Sequence, residues 1–309
     1  MCHLLTSPLT HFNNKGNKKM DGILIVNKPK EYTSHDVVAK VKKICNEKVG
    51  HTGTLDPMAT GVLPLLLGKG TKLSKYLINH DKIYIATLKL GEKTETSDSE
   101  GKIIEEKEVN LLKLEEKNVE QVLKQFIGRQ KQTPSIYSAI KVNGKKLYEY
   151  ARNNIQVQIP KREIEIFDIE LLNINKQQKT IQFKVHCSKG TYIRTLCESI
   201  AEKLETVGYM KELHRVKVGE FDISQATTIE EIENNKQSKE FWNIHFISIE
   251  KFFKNKPLIE LDENKLNLFL NGVQLSTNKT DGLYQIKVNN KFTGIGIVEN
   301  KKLKRELVL

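Results

Sequence analysis

Residues 181–204 read IQFKVHCSKGTYIRTLCESIAEKL, and the period of their apolar positions changes once along the stretch. Ile181, Phe183, Val185 and Cys187 alternate with polar residues, the two-residue period of a strand with one face covered. Ile193, Leu196, Ile200 and Leu204 then recur at helical spacing and bury one face. A strand that runs into a helix across the turn Ser188–Tyr192 belongs to a sheet on which helices pack. Upstream, Ile155/Val157/Ile159 and Ile164/Ile166 show the same alternation and predict further half-buried antiparallel strands. Asp81–Leu90 mixes β-branched and aromatic residues before Gly91 and reads as a central strand. Ile23–Val26 is apolar throughout, the pattern of a strand covered on both faces, and it stops at Asn27-Lys28-Pro29. Helices are expected after it, with Ser34 as N-cap and Val37, Val38, Val41, Ile44 and Cys45 on one face, and again over Val119–Ile127 up to Gly128. After Phe221 the pattern weakens through Lys236–Ser238. From about Leu258 a small separate β unit is expected, with Gly272, Gly282 and Gly294 at turns.

The chain has 309 residues, about twice the usual domain length, so two domains are expected. Fifty Lys and Arg against 38 Asp and Glu leave a net charge of +12, which suits a polyanion such as nucleic acid. The longest apolar stretch, Val62–Leu67, contains Pro64 and is far too short for a bilayer. Cys2, Cys45, Cys187 and Cys197 form no Cys-x-x-Cys pair, which argues against a disulfide framework or a zinc ribbon and for a cytoplasmic protein. Residues 1–19 lack the apolar region of a secretory signal and read as a disordered extension.

The densest cluster of polar and turn residues is Gly50-His51-Thr52-Gly53-Thr54-Leu55-Asp56-Pro57, followed by Gly61. Its glycines permit close backbone approach, and Pro57 pushes Asp56 toward an extended conformation that projects the carboxylate. An isolated Asp-Pro is usually just a turn, but here a His, two Thr and a carboxylate crowd together. Other chemistries fit less well. Gly68-Lys69 lacks the glycine five residues earlier that a Walker A loop needs, since Leu63 stands there. His186, Cys187 and Cys197 have no standard metal-ligand spacing, and no Gly-x-Ser-x-Gly elbow is present.

GHTGTLDPMATG at 50–61, with Lys28-Pro29 and Thr33-Ser34 before it, Lys82-Ile83-Tyr84 after it, QTPSIYSAIKVNGKKLYEYAR at 132–152 and CSKGTYIRT at 187–195, resembles the TruB family of tRNA pseudouridine synthases. The match runs from Asp21 to the C-terminus. One departure is Glu31, where the family usually has a glycine in the turn after Lys28-Pro29.

The resemblance implies an α+β fold: a mixed, largely antiparallel sheet with flanking helices over 20–250, and a small β-rich, PUA-like RNA-binding domain over 251–309. It implies isomerisation of uridine 55 in the T-loop of tRNA, with no cofactor, no metal, no membrane and no obligatory protein partner, by a cytoplasmic monomer. Asp56 would be the catalytic carboxylate, Arg194 its ion-pair partner and Tyr84 the residue stacked on the target base. His51 would fill the space left by the flipped base. Tyr192, Leu213 and Lys28 would complete the substrate site, and the basic runs Lys141–Lys146 and Lys301–Arg305 would hold phosphates. The rivals are an RNA-guided synthase working in a multi-protein particle and a catalytically silent RNA-binding protein.

Overall fold

The computed structural model describes residues 20–309, except Ala139, Asn154 and the side chain of Tyr148. The expected extension at 1–19 lies outside the described residues. The first four strands, β1 (Gly22–Lys28), β2 (Val49–His51), β3 (Thr60–Leu67) and β4 (Lys82–Leu90), join later ones in a single ten-stranded sheet. Along its main path the order is Phe246–Ser248, β1, β3, Gly208–Val218, β4, Thr180–Cys187, Arg162–Asn175 and Gly128–Gln132.

Every neighbouring pair on this path is antiparallel except one. Between β3 and the Gly208–Val218 strand the contact is parallel, and its register consists of His214 opposite Thr60 and Arg215 opposite Gly61. This short seam joins the two halves of the sheet. Residues 62–64 of β3 fall between the pairing with Gly208–Val218 and the pairing of β2 with 65–67, which is where Pro64, with no N–H to give, is tolerated.

Both faces of the sheet are covered. Leu24 and Val26 face the helix α1 (Ser34–Cys45), packing with Val37, Val38 and Val41, while Ile23 and Ile25 enter a cluster on the other face. The cap of α1 is Thr33, one residue before the expected Ser34. Its hydroxyl accepts from the Asp36 amide and Asp36 answers the Thr33 amide, a reciprocal box. The half beyond the seam packs Ala86, Leu88, Ile181, Phe183 and Val185 against Leu196 and Ile200 of the Ile193–Lys203 helix, as the opening alternation and spacing anticipate.

Two expectations for this region are corrected. Residues 155–161 form no strand; Ile155 is exposed, and the neighbouring strand begins at Arg162. The Gly208–Val218 strand, central to the sheet, has no clean alternation because its register against β4 shifts at Met210/Glu212 and at Arg215/Lys217. Each bulge moves the next side chain to the other face, which hides the two-residue period.

The C-terminal unit is a five-stranded sheet ordered Leu258–Glu260, Gly282–Val288, Lys291–Glu299, Lys302–Val308, Leu275–Ser276, with one helix, Glu263–Leu270. Gly272 lies in a turn after that helix with φ 86°, as expected, whereas the hairpins turn at Asn289-Asn290 and Asn300-Lys301, all with positive φ, rather than at Gly282 or Gly294. Gly294 lies within a strand, where a Cβ would come within 2.2 Å of the Leu307 carbonyl. Phe292, Ile295 and Leu307 enter the same cluster as Val218, Phe221 and Phe253, so the C-terminal sheet shares a core with the larger one. Among the described residues no helix is long and apolar enough to cross a membrane.

Candidate active site

The loop between β2 and β3 crosses the end of the parallel seam, and buried polar groups hold it from beneath. Ser34 Oγ receives the Leu55 amide at 2.9 Å and donates to the Leu55 carbonyl at 3.1 Å. Lys28 Nζ donates to the carbonyls of Pro29 and Pro57 at 2.9 and 3.1 Å, and to that of Tyr32. The Glu31 amide also donates to the Pro57 carbonyl, at 2.9 Å, from a left-handed conformation with φ 68°. The turn usually built on glycine is thus kept with a glutamate in it. Asp56 is held between Leu55 and Pro57, both anchored.

Above Asp56 opens a cavity of about 510 Å³, within the range of small-ligand sites. Asp56, Tyr84, Tyr192, Arg194, Leu213 and Arg215 all line it. The first three elements that supply them come from different parts of the chain: the 52–59 loop, β4, and the start of the Ile193–Lys203 helix. The helix is aimed by Gln132, whose side-chain amide receives the Tyr192 N–H at 2.8 Å and donates to the Tyr192 carbonyl at 2.9 Å.

Arg194 clamps Asp56 with two contacts, Nε to Oδ2 at 3.3 Å and Nη2 to Oδ1 at 3.4 Å. Its Nη1 meets Asp98 Oδ2 and the Thr96 carbonyl, each at 3.2 Å, and Nη2 donates to the Tyr137 carbonyl at 3.2 Å. A cation in the first turn of a helix opposes the helix dipole. Here two carboxylates offset that, and the planar fork is held between them. Asp98 is in turn fixed by the Thr96 hydroxyl and, at 3.1 Å, by the Glu100 amide.

The Asp56 side chain keeps 32% of its surface open, yet surrounding protein crowds it enough that burial dominates its titration. Burial raises its pKa, Arg194 pulls it down, Asp98 pushes it up and Lys28 pulls it down, leaving it above the ordinary carboxylate range. Burial likewise raises the Tyr84 phenol, against the opposing pull of Arg215, so it stays protonated at neutral pH. Lys28 is lowered to about 8 by burial, with Asp56 resisting the fall.

The structure brings together Asp56, Tyr84, Arg194, Tyr192 and Leu213. It does not bring Lys28 or His51 into the cavity lining. Lys28 is fully buried, and its ammonium donates to the backbone carbonyls of Pro29 and Pro57. His51 ends β2, half-buried, with its pKa lowered by burial and by Arg215. Sequence reading missed Asp98 and Arg215. Asp98 sits in a run rich in acids and hydroxyls, 93–101, whose polarity resembles any surface turn, and Arg215 sits in the bulged strand that had no period. Thr52 and Ser138 also line the cavity, and their hydroxyl oxygens are buried without a hydrogen-bond partner among the described residues.

Residues 41–193 match the family model described as TruB family pseudouridylate synthase (N terminal domain), and residues 194–245 match the tRNA pseudouridylate synthase B C-terminal domain. The tRNA pseudouridine synthase B of Caldanaerobacter subterraneus subsp. tengcongensis is 43% identical over 92% of this chain and 98% of its own length. That of Oceanobacillus iheyensis is 45% identical over 84% of this chain and 86% of its own. A crystal structure of a Cbf5-Nop10-Gar1 complex contains a chain superposing with a TM-score of 0.66 at 25% identity, over 94% of this chain and 84% of that one. With such identity carried across most of the length of both relatives, and with the carboxylate, phenol and guanidinium converging on one cavity, the chain belongs to the TruB family of pseudouridylate synthases.

Proposed function

We propose that the protein converts uridine 55 in the T-loop of tRNA to pseudouridine, as a cytoplasmic monomer that needs no cofactor and no protein partner, with Asp56 as the reacting carboxylate. The observation that carries this reading is the Asp56 carboxylate held in two places by Arg194 at the wall of a cavity that Tyr84 and Leu213 also line. Pseudouridine formation breaks the bond from C1′ to N1 of uracil and joins C1′ to C5, the C5 proton leaving and N1 gaining one. Attack on the sugar, attack on the base and removal of a sugar proton all need an ionised, aimed carboxylate. Arg194 supplies both properties, opposing the burial that would keep Asp56 protonated.

A base stacked in RNA cannot reach a cavity of this kind unless it is extruded, and extrusion loses stacking. Tyr84 offers the flipped uracil a replacement face. Lys82 and Lys189 at the same cavity carry positive charge toward the phosphates that accompany the flipped nucleotide.

The test is to incubate the purified chain with an unmodified T-stem-loop and nothing else, then map pseudouridine in the product. Conversion at the position of uridine 55 is expected. No conversion without added guide RNA or proteins would favour the RNA-guided reading, and binding without any conversion would favour a silent RNA-binding protein.

A further inference from the structure

Arg215 is 1% exposed, yet part of it reaches the wall of the active cavity. Its backbone lies in the seam, opposite Gly61 on one side and Tyr84 on the other. The fit there is tight enough that a Cβ on Gly61, whose φ is +107°, would come within 2.2 Å of the Arg215 carbonyl. The guanidinium turns toward the loop that carries Asp56. Its Nε donates to the Val62 carbonyl at 2.8 Å, Nη2 to the Gly53 carbonyl at 3.1 Å and Nη1 to the Thr54 carbonyl at 3.5 Å. Gly53 and Thr54 come three and two residues before Asp56, while Lys28 holds Pro57 just after it. The Val62 carbonyl lies in the stretch of β3 that no strand pairs on this side. One side chain therefore ties both ends of the catalytic loop to the strand beneath.

Resting on the proposed reaction, the geometry points to Arg215 as a positioning residue that fixes the loop carrying Asp56. A lysine keeps the charge but has no planar fork and cannot hold Val62, Gly53 and Thr54 together.

The experiment measures binding and single-turnover rate separately, with a T-stem-loop at saturation, for the wild type, Arg215→Lys, Asp56→Asn and the double variant. Thermal melts establish that each is folded. Arg215→Lys is expected to slow the reaction by roughly a hundredfold, the cost of an ångström-scale misplacement, while Kd stays within about threefold. In the Asp56→Asn background the same change should cost clearly less, because the carboxylate whose position it sets is gone. A wild-type rate in Arg215→Lys, a loss of rate matched by an equal loss of binding, or equal factors in the two backgrounds would each overturn the inference. Should Arg215→Lys fail to fold, Arg215→Gln, which keeps a planar donor, carries the same comparison. An inactive wild type would overturn the proposed reaction, whereas an active one indifferent to Arg215 would overturn this inference alone.

Discussion

The seam of the large sheet and the C-terminal sheet are built on opposite plans. At the seam the interior is charged: Lys28, Lys82, Asp98, Arg194 and Arg215 are all buried within or beside the cavity. In the C-terminal sheet the interior is Phe269, Ile286, Ile295, Val298 and Leu303, and its basic residues Lys301, Lys302 and Arg305 lie on the outside. Burying a charge costs stability unless it is paired and hydrogen-bonded, whereas apolar packing stabilises directly. The contrast teaches that the seam is kept for what it does at the cavity. Removing the carboxylate at the cavity should lower activity without lowering stability, and changes to the outer charges of the C-terminal sheet should move binding alone.

The sharpest test of that contrast is Asp56→Asn. The rate should fall by a factor on the order of 10³ or more, because the reacting charge is removed, while RNA binding is largely kept. Stability should go the other way. The folded pKa of Asp56 lies above its unfolded value, so the folded state binds the proton more readily and loses stability as pH rises through the interval between the two. At neutral pH the asparagine variant escapes that loss, and Arg194 still has Asp98 at 3.2 Å. Its melting temperature at pH 7 should therefore equal or exceed that of the wild type, with the difference closing in acid. A variant that is both inactive and clearly less stable at pH 7 would mean that Asp56 is a structural ion-pair member.

Arg194→Met comes next in size. Without the cation, the Asp56 pKa rises further, and the acid limb of the pH–rate profile moves upward. An arginine beside a carboxylate is worth roughly one to three pKa units, so the limb should move up by about that much, and the rate at neutral pH should fall and recover partly as pH increases. A profile merely scaled down at every pH would show that Arg194 works through geometry and not charge. Asp98 would be left buried without its guanidinium, so this variant, unlike Asp56→Asn, should also melt lower.

Legibility followed periodicity. β1, β4, the Thr180–Cys187 strand and the Ile193–Lys203 helix lie where their apolar spacing indicates, because each buries a regular face. Strand Gly208–Val218 was hidden by its two bulges, and with it Arg215. The alternation at Ile155/Val157/Ile159 misled because no partner covers it, a fact that depends on tertiary structure. Within the site, Asp56, Tyr84 and Arg194 were recognisable by family motif, and their convergence belongs to the fold. Asp98 was not, because its partner Arg194 is 96 residues away and its neighbours read as an ordinary polar turn. Lys28 was recognisable as a motif residue but not as a buried one, since a lysine beside a proline carries no sign of the carbonyls it serves.

The other side of the comparison is tested by removing charge from the C-terminal sheet. Cutting the chain near Lys256 would strip Phe292, Ile295 and Leu307 from a cluster shared with the large sheet, and would disturb folding. Replacing Lys301, Lys302, Lys304 and Arg305 together by alanine leaves that cluster intact. If these residues hold phosphates remote from the T-loop, the affinity for whole tRNA should fall and the slope of log K against log salt should shrink by roughly 0.9 per lost contact. The rate at saturation should stay at the wild-type value, and the isolated T-stem-loop should lose less affinity than whole tRNA. A fall in the saturated rate would tie this edge of the C-terminal sheet to the chemistry.

The smallest effect belongs to Glu31, where the loop's support meets backbone conformation alone. Its φ of 68° places a residue with a Cβ in the left-handed region, at a cost of roughly 1–2 kcal/mol relative to the ordinary helical region. Glycine would not carry that cost, but it would give the unfolded chain more freedom and return about 0.4–1 kcal/mol of the gain. The balance predicts that Glu31→Gly stabilises the protein by about 0.5–1 kcal/mol, a rise in Tm of roughly 1–3 °C. The amide that holds the Pro57 carbonyl at 2.9 Å is a backbone group present in both, so the rate should not change. Glu31→Val probes the opposite case, because a β-branched side chain tolerates positive φ poorly. It should lower Tm and, by loosening the turn beneath Pro57, slow the reaction as well. If Glu31→Gly melted lower than the wild type, the glutamate side chain would have to make a contact worth more than the strain of its backbone. If Glu31→Val lost stability with no change in rate, the turn would support the fold of the seam without setting the position of Asp56.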